Sequence, residues 1–460
     1  MDRIYNEDCL ESLKRMGDKS IDLIITDPPY GIKFMSKSWD KALPDKRVWE
    51  ECLRVLKDGA FAFVMSIPRA DCLSRMIISL EEAGFNIGFT PIFWAQAQGF
   101  PKAQNIGKAV DKRLGAKRKI VGKNTSAQDL ERGYEYKGNA KGSGYQQEKY
   151  WGFGIDVTKP ATPQAKALDG SYGGFQPKPA VEVIIVAMKP LNEKTYCDQA
   201  LKNRKGITWL DDGRIPYDSN AEFDKLSNNR MANRTIRAGA VAKGYGMKPQ
   251  GLIGSEQHPA GRFPANLLCS DDVLNDGKII KNGGTSIGQG SKDFSGATSY
   301  KLGGITTVNY PDSGSFSRYF DLDKWFEERI KLLPKSVQKT FPFAVICKAS
   351  KSEKNKGCED LPEQMMPYSG GLEGASIPLK GSPPPRYKNN HPTVKPLKLM
   401  SYLITLGSRE GDLVLDPFIG SGTTALACIN LKRHYIGCEI DKGYYDIAMS
   451  RIKYTQKAML

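Results

Sequence analysis

The sequence of 460 residues contains no long apolar run, and nothing in it approaches the roughly 18 consecutive apolar residues that a membrane-spanning helix needs. Its first ten residues, MDRIYNEDCL, are acidic and polar, which is not the pattern of a secretory leader. Histidine is scarce, with three in the chain. The nine cysteines are scattered without a C-x-x-C pair, which argues against zinc clusters and fits free thiols in a reducing cytoplasm. No internal repeat and no coiled-coil heptad pattern is present. These absences leave a soluble, metal-free protein as the expectation.

Positive charge, by contrast, is abundant and uneven. The formal net charge is +16, with 40% hydrophobic and 26% charged residues overall. Residues 1–100 carry 13 basic and 15 acidic side chains, residues 401–460 carry 7 and 6, and residues 101–400 carry 47 and 30. The excess therefore lies in the middle, most densely in 101–150, with 12 basic against 5 acidic. Basic charge gathered in one region is the electrostatic footprint of a nucleic-acid binder, although many basic proteins bind no nucleic acid. The stretch DKRLGAKRKIVGKNTSAQDLERGYEYKGNAKG interleaves Lys and Arg with tyrosines, so it reads either as a phosphate-tracking loop or as a solvated, disordered one.

Both ends of the chain alternate strand and helix. Near the start, RIYNEDC, IDLIIT, AFAFVMS and FNIGFTPIFW read as strands. LESLKRM, KRVWEECLRVLKDG and DCLSRMIISLEEAG read as helices, the second presenting Val48, Cys52, Val55 and Leu56 on one face and stopping at Gly59. Near the end, LKLMSYLITLGS, TTALACINLK and KGYYDIAMSRIKY are helical patterns around the strands DLVLDPF and HYIGCEI. Neither end has enough strands for a doubly wound sheet, but together they do. In the irregular, Gly- and Ser-rich middle, VEVIIVAMKP is a clear strand, and GITWLDDGRIPY, GRFPANLLC and PFAVICKAS read as short ones.

Two strand tips carry chemistry. Ile21–Thr26 is apolar enough for a core strand, yet it ends in Asp27-Pro28-Pro29-Tyr30. Prolines there stop further pairing and fix the backbone direction, so an acid and an aromatic are held rigidly at the tip. The second tip is LVLDPFIGSGTT, an apolar strand, a glycine turn and a helix start, a geometry in which a ligand can approach backbone closely. Glu439 ends the following strand, where an acid can accept hydrogen bonds from ribose hydroxyls. Taken alone, the glycines are a weak signal.

Together, TDPPYG, HPTVKP at His391–Pro396 and DPFIGSGTT resemble the motifs of the beta-class S-adenosylmethionine-dependent DNA amino-methyltransferases. GFPKAQNIGKAVDK (Gly99–Lys112) is similar to segments of phage and prophage members. The resemblance implies an α/β fold, a doubly wound Rossmann-like methyltransferase sheet with a permuted motif order and an inserted target-recognition region. It divides the chain into a catalytic half of the core (1–95), a basic insert contacting DNA (96–180), a core strand (181–190), a target-recognition region with linker (191–390) and a cofactor-binding half (391–460). It implies that Asp27, Pro28, Pro29 and Tyr30 are catalytic. The implied S-adenosylmethionine residues are Asp8, Asp27, Lys395, Asp416, Phe418, Gly420, Ser421, Gly422, Thr423 and Glu439, with no metal. A solvated side chain is the alternative for Lys395. His391 reads as a loop-ordering residue rather than a general base, and Trp39 and Trp94 as core or rim aromatics. In a doubly wound sheet, Asp27 and Asp416 should face one crevice despite their separation along the chain.

The function so implied is methyl transfer to the N6 amine of adenine in a specific sequence of double-stranded DNA, in the cytoplasm, by base flipping and direct in-line transfer. Cytosine-N4 transfer is the same chemistry on another amine; the family's Asp at the first motif position leans toward adenine. Cytosine-C5 chemistry requires a cysteine nucleophile, usually in a Pro-Cys pair, and the chain has no Pro-Cys dipeptide. A DNA-binding protein with an inactive methyltransferase-like core is the alternative of another class. No nuclease constellation is present, so a cognate restriction endonuclease would be a separate chain. A homodimer is compatible with the sequence.

Overall fold

The computed structural model describes residues 2–31, 42–95, 104–124, 155–175, 181–217, 258–269, 280–282, 312–314, 320–331, 351–365 and 386–459. In chain order the strands among them are β1 (Arg3–Tyr5), β2 (Ile21–Thr26), β3 (Leu56–Ser66), β4 (Ile92–Ala95), β5 (Lys119–Asn124), β6 (Ile155–Lys159), β7 (Val181–Met188), β8 (Leu267–Cys269), β9 (Ile280–Asn282), β10 (Asp312–Gly314), β11 (Gln364–Met365), β12 (Arg386–Tyr387), β13 (Leu413–Asp416) and β14 (His434–Cys438). Eight build one sheet in the order β1-β14-β13-β2-β3-β7-β4-β8. All run parallel except β7, which is antiparallel to β3 and β4. The head and tail of the chain thus share one α/β sheet, with β13 seated directly beside β2.

Alternation along the strands sorts the core into two layers, because successive side chains point to opposite faces. Leu23, Ile25, Phe61, Phe63 and Val414 pack on one face with the helices Leu397–Gly407 and Thr423–Asn430. Ile24, Ala62, Val64 and Leu415 pack on the other with helices α1 (Cys9–Lys14), α2 (Lys46–Val55) and α3 (Ala70–Glu82). Every residue of β2 is buried, as a parallel strand covered on both faces requires. At the strands' N-terminal ends, Asp22 pairs with Lys57 at 2.7 Å and Lys205 at 2.8 Å, and Lys205 also reaches Asp412 at 3.0 Å. Those ions fasten the end of the sheet opposite the two motifs.

Several sequence expectations change. Gly59 does not stop α2: the helix ends at Val55 and β3 begins at Leu56. Gly59 instead lies within β3 at φ +76°, where the register to β2 jumps between Ile21↔Leu56 and Leu23↔Phe61. GITWLDDGRIPY forms a 3-10 turn, Leu210–Gly213, and a single bridge at Ile215 rather than a strand. FNIGFTPIFW is strand only from Ile92. The basic stretch after Asp111 contains β5, so it is not loop throughout; its residues 125–142 lie outside the described residues, as do PFAVICKAS and Trp39. Trp94 is a core residue.

The chain divides into two compact units. One comprises Met1–Gly99, Ala180–Tyr368 and Pro378–Leu460 and contains the sheet; the other comprises Phe100–Pro179 and Ser369–Ile377. Within 191–390, the helix Leu322–Ile330 packs into the first unit, with Trp325 edge-on to Tyr402 at 4.8 Å and Asp323 paired to Lys398 at 2.6 Å. In the second unit, β5 and β6 pair antiparallel. The buried Asp111 there ties them to a neighbouring turn by accepting from Arg118 at 2.8 Å, the Ala161 N–H at 3.0 Å and the Thr162 hydroxyl at 2.7 Å.

Candidate active site

β2 and β13 pair through Leu23↔Val414 and Ile24↔Leu415 and end side by side. From there the chain winds one way to β3 and the other way to β14, which makes this the topological switch point, where open α/β sheets hold ligands. Thr26 ties the two tips together, its hydroxyl donating to Asp416 Oδ1 at 2.8 Å. A cavity of about 460 Å³ opens over them, lined on one side by Asp27 and Pro29 and on the other by Asp416 and Phe418.

At the first tip, Pro28 is buried and anchors the turn, and Gly31 follows at φ +68°. Tyr30 folds back so that its hydroxyl donates to Asp27 Oδ1. Lys395 donates to Asp27 Oδ2 at 2.6 Å and lies 3.2 Å from Glu182 Oε2. Burial raises the pKa of Asp27, Lys395 opposes that effect and Glu182 adds to it; the net direction is upward. For Lys395, burial disfavours the charge, but the two carboxylates outweigh it and hold the ammonium protonated. Lys395 is therefore not a solvated side chain: only 11% of it is exposed.

At the second tip, Asp416 accepts from the Thr26 and Thr424 hydroxyls, the latter at 2.5 Å, and from the Phe418 N–H at 3.1 Å. Burial pushes its pKa up to about 6 against these three donors. The turn that follows needs glycine twice. Gly420 sits at φ +53°, and a Cβ there would come within 2.7 Å of His391 Nε2; Gly422 caps the helix Thr423–Asn430 at φ +83°. The buried Arg451 holds the loop from behind, donating to the Ser421 carbonyl at 2.7 Å and hydroxyl at 3.0 Å. His391 packs edge-on to Tyr444 at 4.4 Å and against Gly420, a loop-ordering position.

Asp8, Gly420, Ser421, Thr423, Glu439 and Lys395 also line the cavity, whereas Pro28, Tyr30 and Gly422 do not. The Asp8 carboxylate additionally caps α1 through the Leu10 N–H at 2.8 Å. Glu439 accepts from the Asp441 N–H at 2.8 Å, and burial pushes its pKa up to about 7. Acids outnumber bases in the lining: Glu7, Asp8, Asp27, Asp45, Asp416 and Glu439 stand against Arg47 and Lys395. A cavity of this charge, with the Phe418 ring at one wall and close-approach backbone at the Gly420 turn, fits a cationic ligand that carries hydroxyls and a flat ring.

Sequence reasoning missed Thr26, Thr424, Arg451 and Glu182. The first three act by holding motif residues and carry no pattern of their own. Glu182 did carry a signal: it is the one acid inside the otherwise apolar strand VEVIIVAM.

Residues 348–450 match a family model described as DNA methylase, of the N6/N4 methyltransferases. Among curated relatives, type II methyltransferase M.HindIII of Haemophilus influenzae is 52% identical over 65 residues, which is 14% of this chain and 21% of that protein. Type II methyltransferase M2.DpnII of Streptococcus pneumoniae is 41% identical over 68 residues, 15% of this chain and 25% of that protein. These matches therefore span a quarter or less of the relatives' own length. Among solved structures, the M1.HpyAVI–SAM complex is 14% identical, with TM-score 0.34 over 98% of this chain and 99% of that one. The cytosine-N4-specific PvuII DNA methyltransferase is 12% identical, with TM-score 0.37 over 100% and 93%.

Proposed function

We propose that the protein is a DNA methyltransferase that transfers a methyl group from S-adenosylmethionine to the N6 amine of adenine in a specific double-stranded sequence. The observation that carries this reading is the convergence of Asp27 and Asp416, from opposite ends of the chain, on one acid-lined cavity at the switch point of the sheet.

The residues fit the cofactor as follows. Glu439 would accept from the ribose hydroxyls, Phe418 and Asp8 would border the adenine end, and the turn Gly420–Thr423 with Asp416 would border the amino-acid end. When bound, the cofactor would supply an electrophilic methyl on a sulfonium, whose sulfur–methyl bond breaks as the N–C bond forms and leaves a neutral thioether. Everything else falls to the chain. The adenine amine is a poor nucleophile because its lone pair is delocalised into the ring. Asp27 Oδ1 or Oδ2 and the Pro28 carbonyl accept its N–H bonds, favour a more tetrahedral nitrogen and stabilise the positive charge that develops there as the N–C bond forms. The prolines hold those acceptors in advance of the reaction. Tyr30 offers its ring to an extruded base, since a base paired in the duplex cannot present its amine. The proton lost by the methylated nitrogen passes to Asp27 or to water.

The test uses radiolabelled cofactor and unmethylated duplex DNA, followed by mass spectrometry of the nucleosides. N6-methyladenine is the expected product, and Asp27→Ala should abolish it while cofactor affinity stays near that of the native chain. N4-methylcytosine would overturn the base assignment; cofactor binding without transfer to any duplex would favour an inactive core; substantial turnover by Asp27→Ala would overturn the role of the carboxylate.

A further inference from the structure

We infer that Lys395 and Glu182 are positioning residues for Asp27, forming a carboxylate–ammonium–carboxylate triad that aims the acceptor without cancelling the negative charge of the site. The inference rests on the proposed role of Asp27 as acceptor of the amine protons.

Three segments distant in sequence supply the triad. Asp27 ends β2. Glu182 lies near the start of β7, paired across the sheet to Trp94, and its neighbour Val183 pairs with Ser66. Lys395 precedes the helix Leu397–Gly407, whose first turn is fixed by the Leu397 N–H donating to Glu353 at 2.8 Å. The ammonium lies 2.6 Å from Asp27 and 3.2 Å from Glu182, and all three side chains are less than one-fifth exposed.

Stability does not account for such a cluster. Burying three charges incurs a desolvation penalty that well-packed apolar residues avoid, so a buried ion group is weak evidence of a stabilising role. Chemistry does account for it. A lone Lys–Asp pair would be neutral, and it would offer little net stabilisation to the positive charge that develops on the amine. With Glu182 sharing the ammonium, the group carries one net negative charge, and Lys395 still fixes the rotamer of Asp27 from one oxygen while Tyr30 fixes the other. The two partners therefore push the ionisation of Asp27 in opposite directions. Lys395 favours the carboxylate and Glu182 disfavours it; among the described residues, Tyr30 on its own turn and Asp416 on β13 also face it, with Glu7, Asp8, Asp45, Arg47, His391 and Glu439 elsewhere in the cavity lining.

The experiment measures single-turnover methyl transfer to duplex DNA against pH, at saturating cofactor, for the native chain, Lys395→Met, Lys395→Arg and Glu182→Gln, with cofactor affinity measured by calorimetry. Lys395→Met should slow transfer on the order of a hundredfold, the effect of a misaimed reacting group, and should move the acid limb to higher pH. Glu182→Gln should move that limb to lower pH. Lys395→Arg should recover part of the rate, and both Met and Gln variants should keep native cofactor affinity. Limbs that stay put, or move the same way in both variants, overturn the inference. So does a Lys395→Met variant whose only defect is weaker cofactor binding, because that makes Lys395 a cofactor ligand. If Lys395→Met does not fold, Lys395→Gln takes its place, with the same expected shift to higher pH and opposite to that of Glu182→Gln. These failures are read with an active native chain; a native chain inactive on every duplex defeats the parent reading first, and this inference with it.

Discussion

Asp27, Asp416 and the two turn glycines were legible in the sequence because each sits in a local pattern whose physics is local: prolines that stop a strand, and glycines that permit positive φ. The contacts that hold them were not legible. Lys395 reaches Asp27 across 368 positions and Thr26 reaches Asp416 across 390, and no periodicity spans such distances. Glu439 lies between these cases, visible as an acid at a strand end but with an ionisation that only burial reveals. Its raised pKa, about 7 against an ordinary 4.5, means that the ligand-free fold favours the protonated form. Stability from this group is thus present below the ordinary value and lost as pH rises toward about 7. On the proposed function, ligand binding should have the opposite sign, since hydroxyl donors and a cationic cofactor would favour the carboxylate. Cofactor affinity measured by calorimetry should tighten roughly tenfold between about pH 6 and about pH 8, one decade per unit below the pKa. Glu439→Gln should remove that slope, and an unchanged slope in the variant would assign the titration to another group.

At the scale of elements, the alternation of apolar runs with amphipathic helices was legible at both ends because parallel strands buried on two faces are apolar throughout, and β2 is the clearest instance. Gly59 was misread for an identifiable reason. A glycine following an amphipathic helix normally caps it, but here α2 passes into β3 with no loop, and the glycine is used three residues later for an irregularity in the strand. Its N–H donates to the carbonyls of Lys189 at 3.1 Å and Pro190 at 3.3 Å, and its carbonyl accepts from the Gly206 N–H at 2.8 Å. A Cβ at this position would stand 2.8 Å from the Gly206 nitrogen, at a φ that L-residues rarely adopt. Gly59→Ala should therefore destabilise the fold by about 1–3 kcal/mol, the range for backbone strain in a disallowed region. Chemical denaturation measures this directly. Because the strain lies at the N-terminal end of the sheet, cofactor affinity below the melting point should be unchanged; a loss of affinity without a loss of stability would contradict that separation.

At the scale of the whole molecule, the uneven charge becomes a prediction about DNA. The first unit brings the near-neutral head and tail of the chain together around an acid-lined cavity, whereas the second holds four exposed cations within a short stretch of chain: Lys112 and Arg113 in the last turn of the helix Ile106–Arg113, Lys117 beyond it, and Lys119 at the start of β5. On the proposed function, an acidic pocket suits a cationic cofactor and exposed cations suit a polyanion. Duplex binding that neutralises roughly 6–10 phosphates should weaken by about 10³–10⁵ between about 50 and 200 mM salt, through counterion release. Replacing Lys112, Arg113, Lys117 and Lys119 by Gln should reduce the slope of log affinity against log salt by about 0.9 for each phosphate that is no longer neutralised. The reduction should be equal on cognate and unrelated duplexes, because cations that meet only phosphates carry no sequence information. Fluorescence anisotropy with both duplexes at several salt concentrations measures that slope. A slope identical to that of the native chain would remove this face from the DNA-binding surface, and a weakening confined to the cognate duplex would instead make these residues readers of base sequence.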